Sequence, residues 1–339
     1  MIVSDSVGGS GHGPDAVSPA TPADRAATGD PVVRVRTHGP ILRLLVNRVG
    51  ELRALWRLLL FLPVVGVILG LFASVQPLLQ RLTGLSAAAA GEVGALTAAL
   101  AGGWFILVAV DRRRPGALGF GWTREVPREL VLGIAIAGGA LVLCVAVLAF
   151  LGDYGWTPDR GSVAGYAWAL LRDLAFWGVA AAAEEALFRG YGFQVLVQGL
   201  GAAPATVLAS AAFALAHRNN PSVDGVALVN IFLAGVLLSV AYLRTRSLWF
   251  ATAVHLGWNW MMGTVLALPV SGLVLVNTPL YDGHVGGPRL VTGGAFGPEG
   301  GLVATAAFSL ALAAVALAPL AEAPRMKGLR PLVDTRLTR

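Results

Sequence analysis

Long apolar stretches, separated by short polar or basic breaks, alternate along most of this sequence. A stretch of about 20 apolar residues is long enough to cross a bilayer as an α-helix. The breaks delimit about eight such stretches, at about residues 58–79, 87–110, 130–151, 164–199, 203–217, 223–243, 248–270 and 302–320. The pattern therefore predicts an all-α fold, a polytopic membrane helix bundle with about eight transmembrane helices.

Three segments do not follow this pattern. The first 40 residues are rich in Gly, Pro, Ser, Asp and Thr, which predicts a disordered tail. Arginines interrupt the apolar residues from 41 to 56, which predicts an amphipathic interfacial helix. A Gly-rich stretch before the last helix predicts a loop. We divide the chain into a tail, the interfacial helix with helices one to three, helices four to seven, the loop, and helix eight with a basic tail, at residues 1–40, 41–163, 164–270, 271–301 and 302–339.

The composition supports a membrane protein, because 56% of the residues are hydrophobic and 13% are charged, whereas soluble domains carry about 25% charged residues. The net charge is +6, and basic residues cluster beside the apolar stretches on the side shared by both termini. By the positive-inside rule both termini are cytoplasmic and the 271–301 loop is not. We expect a multi-pass protein of the bacterial plasma membrane whose partner is the lipid bilayer, and no nucleic-acid partner. Cys144, the one cysteine, lies in an apolar run and predicts a core residue.

The fourth predicted helix carries three charged residues at membrane depth: Glu184, Glu185 and Arg189. Each such charge costs roughly 2.5–3.5 kcal/mol on insertion scales. Glu185 and Arg189 stand one turn apart, so they can neutralise each other on one helix face. Glu184 points about 100° away from that pair and needs a partner on another helix, or water.

Two later helices offer such partners. In an antiparallel hairpin of the fourth and fifth helices, Glu184 and His217 lie at a similar depth, roughly 24–26 Å from the turn. His255 and Asn259 share one face of the seventh helix, again inside the bilayer. A lone intramembrane His or Asn is often no more than an interhelical hydrogen bond, and Phe213 can simply form a pocket wall. Together, these residues predict one buried polar pocket.

Three motifs follow one another at a defined spacing: Glu184-Glu185-x-x-x-Arg189, Phe213-x-x-x-His217 and His255-x-x-x-Asn259. Their order resembles that of the CPBP intramembrane endopeptidases, the CAAX-processing and bacteriocin-processing (Abi) family, which includes the type II CAAX prenyl proteases. The resemblance covers about residues 164–268 and implies that residues 164–270 form the catalytic core.

The resemblance implies that the chain is an intramembrane endopeptidase that cuts membrane-associated peptides or proteins. Hydrolysis of a peptide bond needs an activated water, a stabilised oxyanion and a proton for the leaving amine. By resemblance, Glu184 is the base and His217 orients its water. His255 and Asn259 stabilise the developing oxyanion. The residues expected to support this site are Glu185, Arg189 and Phe213.

Other readings stay open. The sequence has no HExxH zinc motif and no GxSxG elbow, so we expect a glutamate-based mechanism without a cofactor. The family is often described as metal-dependent, and zinc bound by Glu184, His217 and His255 is the alternative. The chain could also be a non-catalytic immunity or assembly factor with the same fold. A proton-coupled transporter that uses Glu184 and His217 is a further alternative.

Overall fold

The computed structural model describes residues 39–47, 50–318 and 320, and the described chain is a bundle of helices with one small β-ribbon. Its α-helices are α1 (Pro40–Leu45), α2 (Ala54–Thr83), α3 (Ala87–Ala109), α4 (Val126–Phe150), α5 (Val163–Phe188), α6 (Tyr191–Leu200), α7 (Ala202–Ala216), α8 (Gly225–Thr245), α9 (Leu248–Trp260), α10 (Arg289–Thr292) and α11 (Leu302–Leu317). A π-helical turn, Met261–Val265, continues α9. The predicted all-α class is confirmed.

Within the described ranges, the helices long and apolar enough to cross a membrane are α2, α3, α4 and α8, and they number four. These four are candidate membrane spans by length and composition, and the predicted number of eight transmembrane helices is not confirmed. Helix α5 has 26 residues, but charged side chains interrupt its apolar surface. Helices α7 and α11 have 15 and 16 residues, and at 1.5 Å per residue they are shorter than the ~30 Å hydrocarbon core.

The predicted fourth helix, 164–199, is wrong in one respect: it is two helices, α5 and α6, broken at Arg189 and Gly190. The backbone of Gly190 leaves the helical region, with φ −70° and ψ −131°. A Cβ atom built at this position would lie 2.1 Å from the carbonyl oxygen of Ala186, so only glycine fits there. The break turns α6 so that it packs against α2 and α7.

Other boundaries also differ from the predictions. The helix predicted from 41 to 56 is shorter than expected, because α1 ends at Leu45 and Val46 then pairs with Leu52 in an isolated β-bridge; its place at the membrane interface stays a prediction. The seventh helix ends near residue 265 and not at 270. The predicted disordered tail and the basic tail lie outside the described residues, apart from the few at their inner ends. The division of the chain into five segments stays a prediction.

Helix α9 lies at the centre of the bundle and packs against α4, α5 and α8. Its contact with α4 is close because of glycine. A Cβ atom at Gly133 would lie 2.6 Å from that of Ala253, and one at Gly257 would lie 2.6 Å from the Cα atom of Ile134. Small residues allow this approach of two backbones in a membrane, where no hydrophobic force drives helices together. The backbone of α9 is therefore held on several sides.

The Gly-rich segment 271–301, named the cap from here on, is folded onto the bundle. It contains β2 (Tyr281–Val285), which pairs antiparallel with β1 (Tyr154–Pro158), and two short 3-10 turns (Gly294–Phe296 and Pro298–Gly300). Gly272 has φ +81°, and a Cβ atom there would lie 2.1 Å from the carbonyl oxygen of Pro221. The glycines of the cap thus serve close packing, so the predicted loop is an ordered layer over one end of α9.

Candidate active site

One cavity of about 110 Å³ lies among helices α3, α5, α7, α8 and α9 and the cap. The side chains predicted to act in hydrolysis all line it: Glu184, His217, His255 and Asn259. Phe213 forms part of its wall, as predicted. Four residues from three separate helices thus meet at one place, whereas their chemical roles stay a prediction.

Glu184 faces His255 across the cavity. Its Oε2 atom lies 3.8 Å from Nε2 of His255, which is longer than a hydrogen bond. The same oxygen is buried and accepts no hydrogen bond from the residues that the structure describes, although the Glu184 side chain as a whole is 32% exposed. A buried carboxylate oxygen without a donor is costly unless a water or a ligand binds it. This oxygen is therefore available to a water molecule or a ligand in the cavity that both residues line.

Glu185 does more than pair with Arg189. Its Oε1 atom accepts hydrogen bonds from Nη1 of Arg189 at 3.0 Å and from Nδ1 of His255 at 2.9 Å. Both Glu185 and Arg189 are fully buried, and Arg189 also donates to the carbonyl oxygen of Gly235. A carboxylate paired with arginine can only accept, so Nδ1 of His255 carries hydrogen and Nε2 faces Glu184. Glu185 thus contacts both Arg189 and His255, and its role in supporting the site stays a prediction.

His217 is fixed by the end of its own helix. Its Nδ1 atom donates to the carbonyl oxygen of Phe213 at 2.8 Å, because a carbonyl oxygen can only accept. In a neutral ring, Nε2 is then left as an acceptor. The Phe213 ring packs 4.8 Å from the His217 ring and 4.5 Å from the guanidinium carbon of Arg189. Phe213 therefore packs between His217 and Arg189, with a ring contact to the histidine and a cation–π contact to the arginine.

The cavity also contains polar residues that the sequence reasoning missed, Glu92 of α3, Asn220, and Ser271 and Glu299 of the cap. Glu92 carried a signal, because it is a lone charge within an apolar stretch. Glu299 carried none, because a glutamate in a Gly-rich segment is unremarkable by composition. Burial raises the pKa of the Glu299 carboxyl above its usual range, against the opposing effect of the Ser271 hydroxyl and of His217.

The residues of this cavity do not form a metal centre as they stand. In the described part of the chain, no three His, Cys, Asp or Glu side chains converge as the ligands of one metal ion. The nearest candidates are the three predicted zinc ligands, of which Glu184 and His255 face each other and His217 is bonded to its own helix. Both the metal-free and the zinc-dependent mechanism stay predictions.

Comparison with known proteins bears on these residues. Residues 166–261 match a family model described as type II CAAX prenyl endopeptidase Rce1-like. The matched segment contains all three spaced motifs, from Glu184 to Asn259. No curated protein and no solved structure matches the chain. Together with its apolar helices, the match makes the chain an integral membrane protein. The resemblance predicted from the motifs is thereby confirmed: over residues 166–261 the chain is similar to the type II CAAX prenyl endopeptidases, which supports the CPBP family of CAAX proteases.

Proposed function

We propose that the protein is an intramembrane endopeptidase that hydrolyses peptide bonds with a water activated by Glu184. One observation carries the proposal: the Oε2 atom of Glu184, which accepts no hydrogen bond within the described part of the chain, faces Nε2 of His255 in a cavity that His217 and Asn259 also line. The site thus combines a base, a second proton-binding group and hydrogen-bond donors around one cavity. Peptide hydrolysis requires this set.

The reaction proceeds in two proton transfers. Glu184 takes a proton from the water, and the hydroxide oxygen bonds to the carbonyl carbon of the scissile peptide. His217, whose Nε2 atom is an acceptor, holds the same water. The carbonyl oxygen becomes an oxyanion, to which Asn259 donates from its amide. As the C–N bond breaks, Glu184 returns its proton to the leaving amine.

His255 assists the oxyanion only if Nε2 also carries hydrogen. Glu185 binds Nδ1 at 2.9 Å and Glu184 lies 3.8 Å from Nε2. Two carboxylates at the two ring nitrogens favour the doubly protonated ring. His255 can then donate from Nε2 while Glu185 keeps the ring in place. One such donor contributes about 2.7–4 kcal/mol to stabilisation of the transition state.

The substrate class follows from the surroundings of the site. The bundle is embedded in lipid, so we propose that a membrane-associated peptide or protein enters the cavity. The matched family model is described as a type II CAAX prenyl endopeptidase, so a farnesylated CAAX peptide is the first probe to use. We further propose a bacterial plasma membrane protein with both termini in the cytoplasm and entry of substrate from the cytoplasmic side.

The proposal is tested by Glu184→Gln, which keeps the shape of the side chain and removes the base. Wild type and variant are reconstituted in proteoliposomes, and cleavage of the farnesylated peptide is followed by mass spectrometry. We expect kcat to fall by about 10²–10⁴ with thermal unfolding unchanged. Glu125→Gln is the matched control, since Glu125 precedes α4 and does not line the cavity. In cells, membrane proteomics should show uncleaved proteins in the Glu184→Gln strain only.

Other outcomes separate the alternatives. Normal cleavage by purified Glu184→Gln would contradict the mechanism. Loss of activity with a chelator, restored by zinc alone, would favour the zinc-dependent form. Proton flux that depends on Glu184, without cleavage of any membrane protein, would favour a transporter. If neither flux nor cleavage depends on Glu184, the immunity or assembly factor becomes the better reading.

A further inference from the structure

Glu299 joins the cap to the central helix of the bundle. It is 3% exposed, and its Oε1 atom accepts a hydrogen bond from Nε1 of Trp258 at 3.0 Å. Its Oε2 atom accepts from both the backbone N–H and the hydroxyl of Ser271, each at 2.7 Å. Three donors thus converge on one carboxylate. Trp258 is the residue before Asn259 on α9, so this contact acts directly beside the predicted oxyanion donor.

Ser271 also connects Glu299 to the turn that carries His217. The carbonyl oxygen of Ser271 accepts a hydrogen bond from the side-chain amide of Asn220 at 2.9 Å. The backbone N–H of Asn220 in turn donates to the carbonyl oxygen of His217 at 3.0 Å. Glu299 is therefore connected through Ser271 to the turn that follows α7. The carboxylate of Glu299 is therefore connected both to Trp258, beside Asn259 on α9, and to the turn that follows His217.

Ser271 adopts a backbone conformation that needs such support. Its φ angle is +50°, in the left-handed region that residues other than glycine rarely occupy. Such a conformation persists where the surrounding contacts fix it, and strained residues of this kind cluster at functional sites. The two hydrogen bonds that Ser271 donates to Glu299 help to fix this conformation.

The turn that carries Glu299 is itself anchored. The side-chain amide of Asn230 on α8 donates to the carbonyl oxygens of Glu299 and Gly301, at 2.7 and 2.9 Å. Thr305 of α11 donates from its hydroxyl to Oδ1 of Asn230 at 2.6 Å. The carboxylate is thus presented from a rigid support, which makes it suited to holding other groups in place.

We propose that Glu299 is a positioning residue of the peptidase: it binds Trp258 and Ser271 together and so fixes the place of Asn259 in the cavity. This inference rests on the proposed function. Glu299 acts through Trp258 and does not take part in bond breaking. It lies outside residues 166–261, so it belongs to a part of the chain that the family match does not cover. The cap is then a component of the active site.

The first test removes single hydrogen bonds and measures catalysis. Trp258→Phe removes the indole N–H together with part of the bicyclic ring, and keeps a six-membered ring to stack on Phe308, whose ring centroid lies 4.1 Å from that of Trp258. With the farnesylated CAAX peptide in proteoliposomes, we expect kcat to fall about 10-fold, as for loss of one hydrogen bond to a carboxylate, with KM within about twofold. Glu299→Ala should have a larger effect and Glu299→Gln a smaller one. Adding Trp258→Phe to Glu299→Ala should change little.

A second test does not depend on activity. A cysteine at position 259, introduced as Asn259→Cys in a Cys144→Ala background, is labelled with a small maleimide. We expect its labelling rate to change about 10-fold when Glu299→Ala or Trp258→Phe is added, because position 259 is no longer held. Arg289→Ala is the matched control. It removes a contact of the cap with Asp224, at 3.0 Å, between partly exposed side chains.

Several results would overturn the inference. Unchanged labelling in both Glu299→Ala and Trp258→Phe would show that neither side chain fixes position 259. The same loss of kcat in Arg289→Ala as in Trp258→Phe would show a general effect of the cap. The two proposals fail separately: if Glu184→Gln is inactive while the Glu299 variants are normal, only this inference fails. If Glu184→Gln remains active, the mechanism fails, and the labelling rates still decide what Glu299 does.

Discussion

The cavity is built from two kinds of structure that differ in how they carry their polar residues. On one side, helices α5, α7 and α9 present Glu184, His217 and His255 from apolar stretches. On the other, the cap presents Ser271 and Glu299 from a segment of turns and glycines. Both sides bury carboxylate oxygens, but the described residues donate hydrogen bonds to both oxygens of Glu299 and none to Oε2 of Glu184. The helices place groups by regular spacing, whereas the cap places them by contacts far apart in sequence.

This difference predicts how strongly substitutions on each side of the cavity affect the protein. A charge on a helix at membrane depth has few donors nearby, so a change of its partner leaves it unpaired. In the cap, the donors are partly backbone groups, as with the N–H of Ser271. We therefore expect changes on the helices to have larger effects than changes in the cap. The predictions below follow that order.

The largest effect on stability is expected from Glu185→Ala. The variant leaves Arg189 buried without its carboxylate partner and removes the acceptor of His255. Loss of one member of a buried ion pair costs about 3–5 kcal/mol. Thermal unfolding of the purified protein in detergent should show a much lower Tm. Glu185→Gln, which keeps an acceptor oxygen, should lose less, and an equal Tm for Glu185→Ala and wild type would contradict the assigned pair.

The next effect is expected on catalysis from Asn259→Ala. Loss of one donor to an oxyanion lowers kcat by about 10²–10³. Asn259 is partly buried at the cavity, so we expect the Tm to change little. Steady-state cleavage of the farnesylated peptide measures kcat and KM separately. A rise in KM at constant kcat would mean that Asn259 binds the substrate and does not stabilise the transition state.

The smallest effect is expected in the cap, from Gly272→Ala. Its φ of +81° is unfavourable for alanine, and the added Cβ atom would lie 2.1 Å from the carbonyl oxygen of Pro221. We expect a loss of about 1–3 kcal/mol, seen as a lower Tm. Gly139→Ala in α4 is the matched control, because nothing lies within 4 Å of a Cβ atom there. If both variants unfold at the wild-type temperature, the cap is not packed as described.

The candidate residues could be predicted because charges in apolar stretches are costly and therefore stand out. Glu184, His217 and His255 were found in this way. Glu92 is also a charge within an apolar stretch, but it was overlooked because it belongs to none of the three spaced motifs. The cost of a charge in an apolar stretch does not reveal Glu299, because a glutamate in a Gly-rich segment has no desolvation cost until folding buries it. The break at Gly190 was missed for a related reason, since glycine is common in membrane helices that continue through it.

The amino-acid sequence by itself determined the class of fold, most helix ends within a few residues, and the meeting of three motifs at similar depth. These properties depend on local patterns and on regular helix geometry. Only the tertiary structure decided that Glu185 orients His255, that β1 pairs with β2, and that Glu299 joins the cap to α9. Those contacts unite residues far apart in sequence, and hydrogen-bond geometry in the folded state selects them.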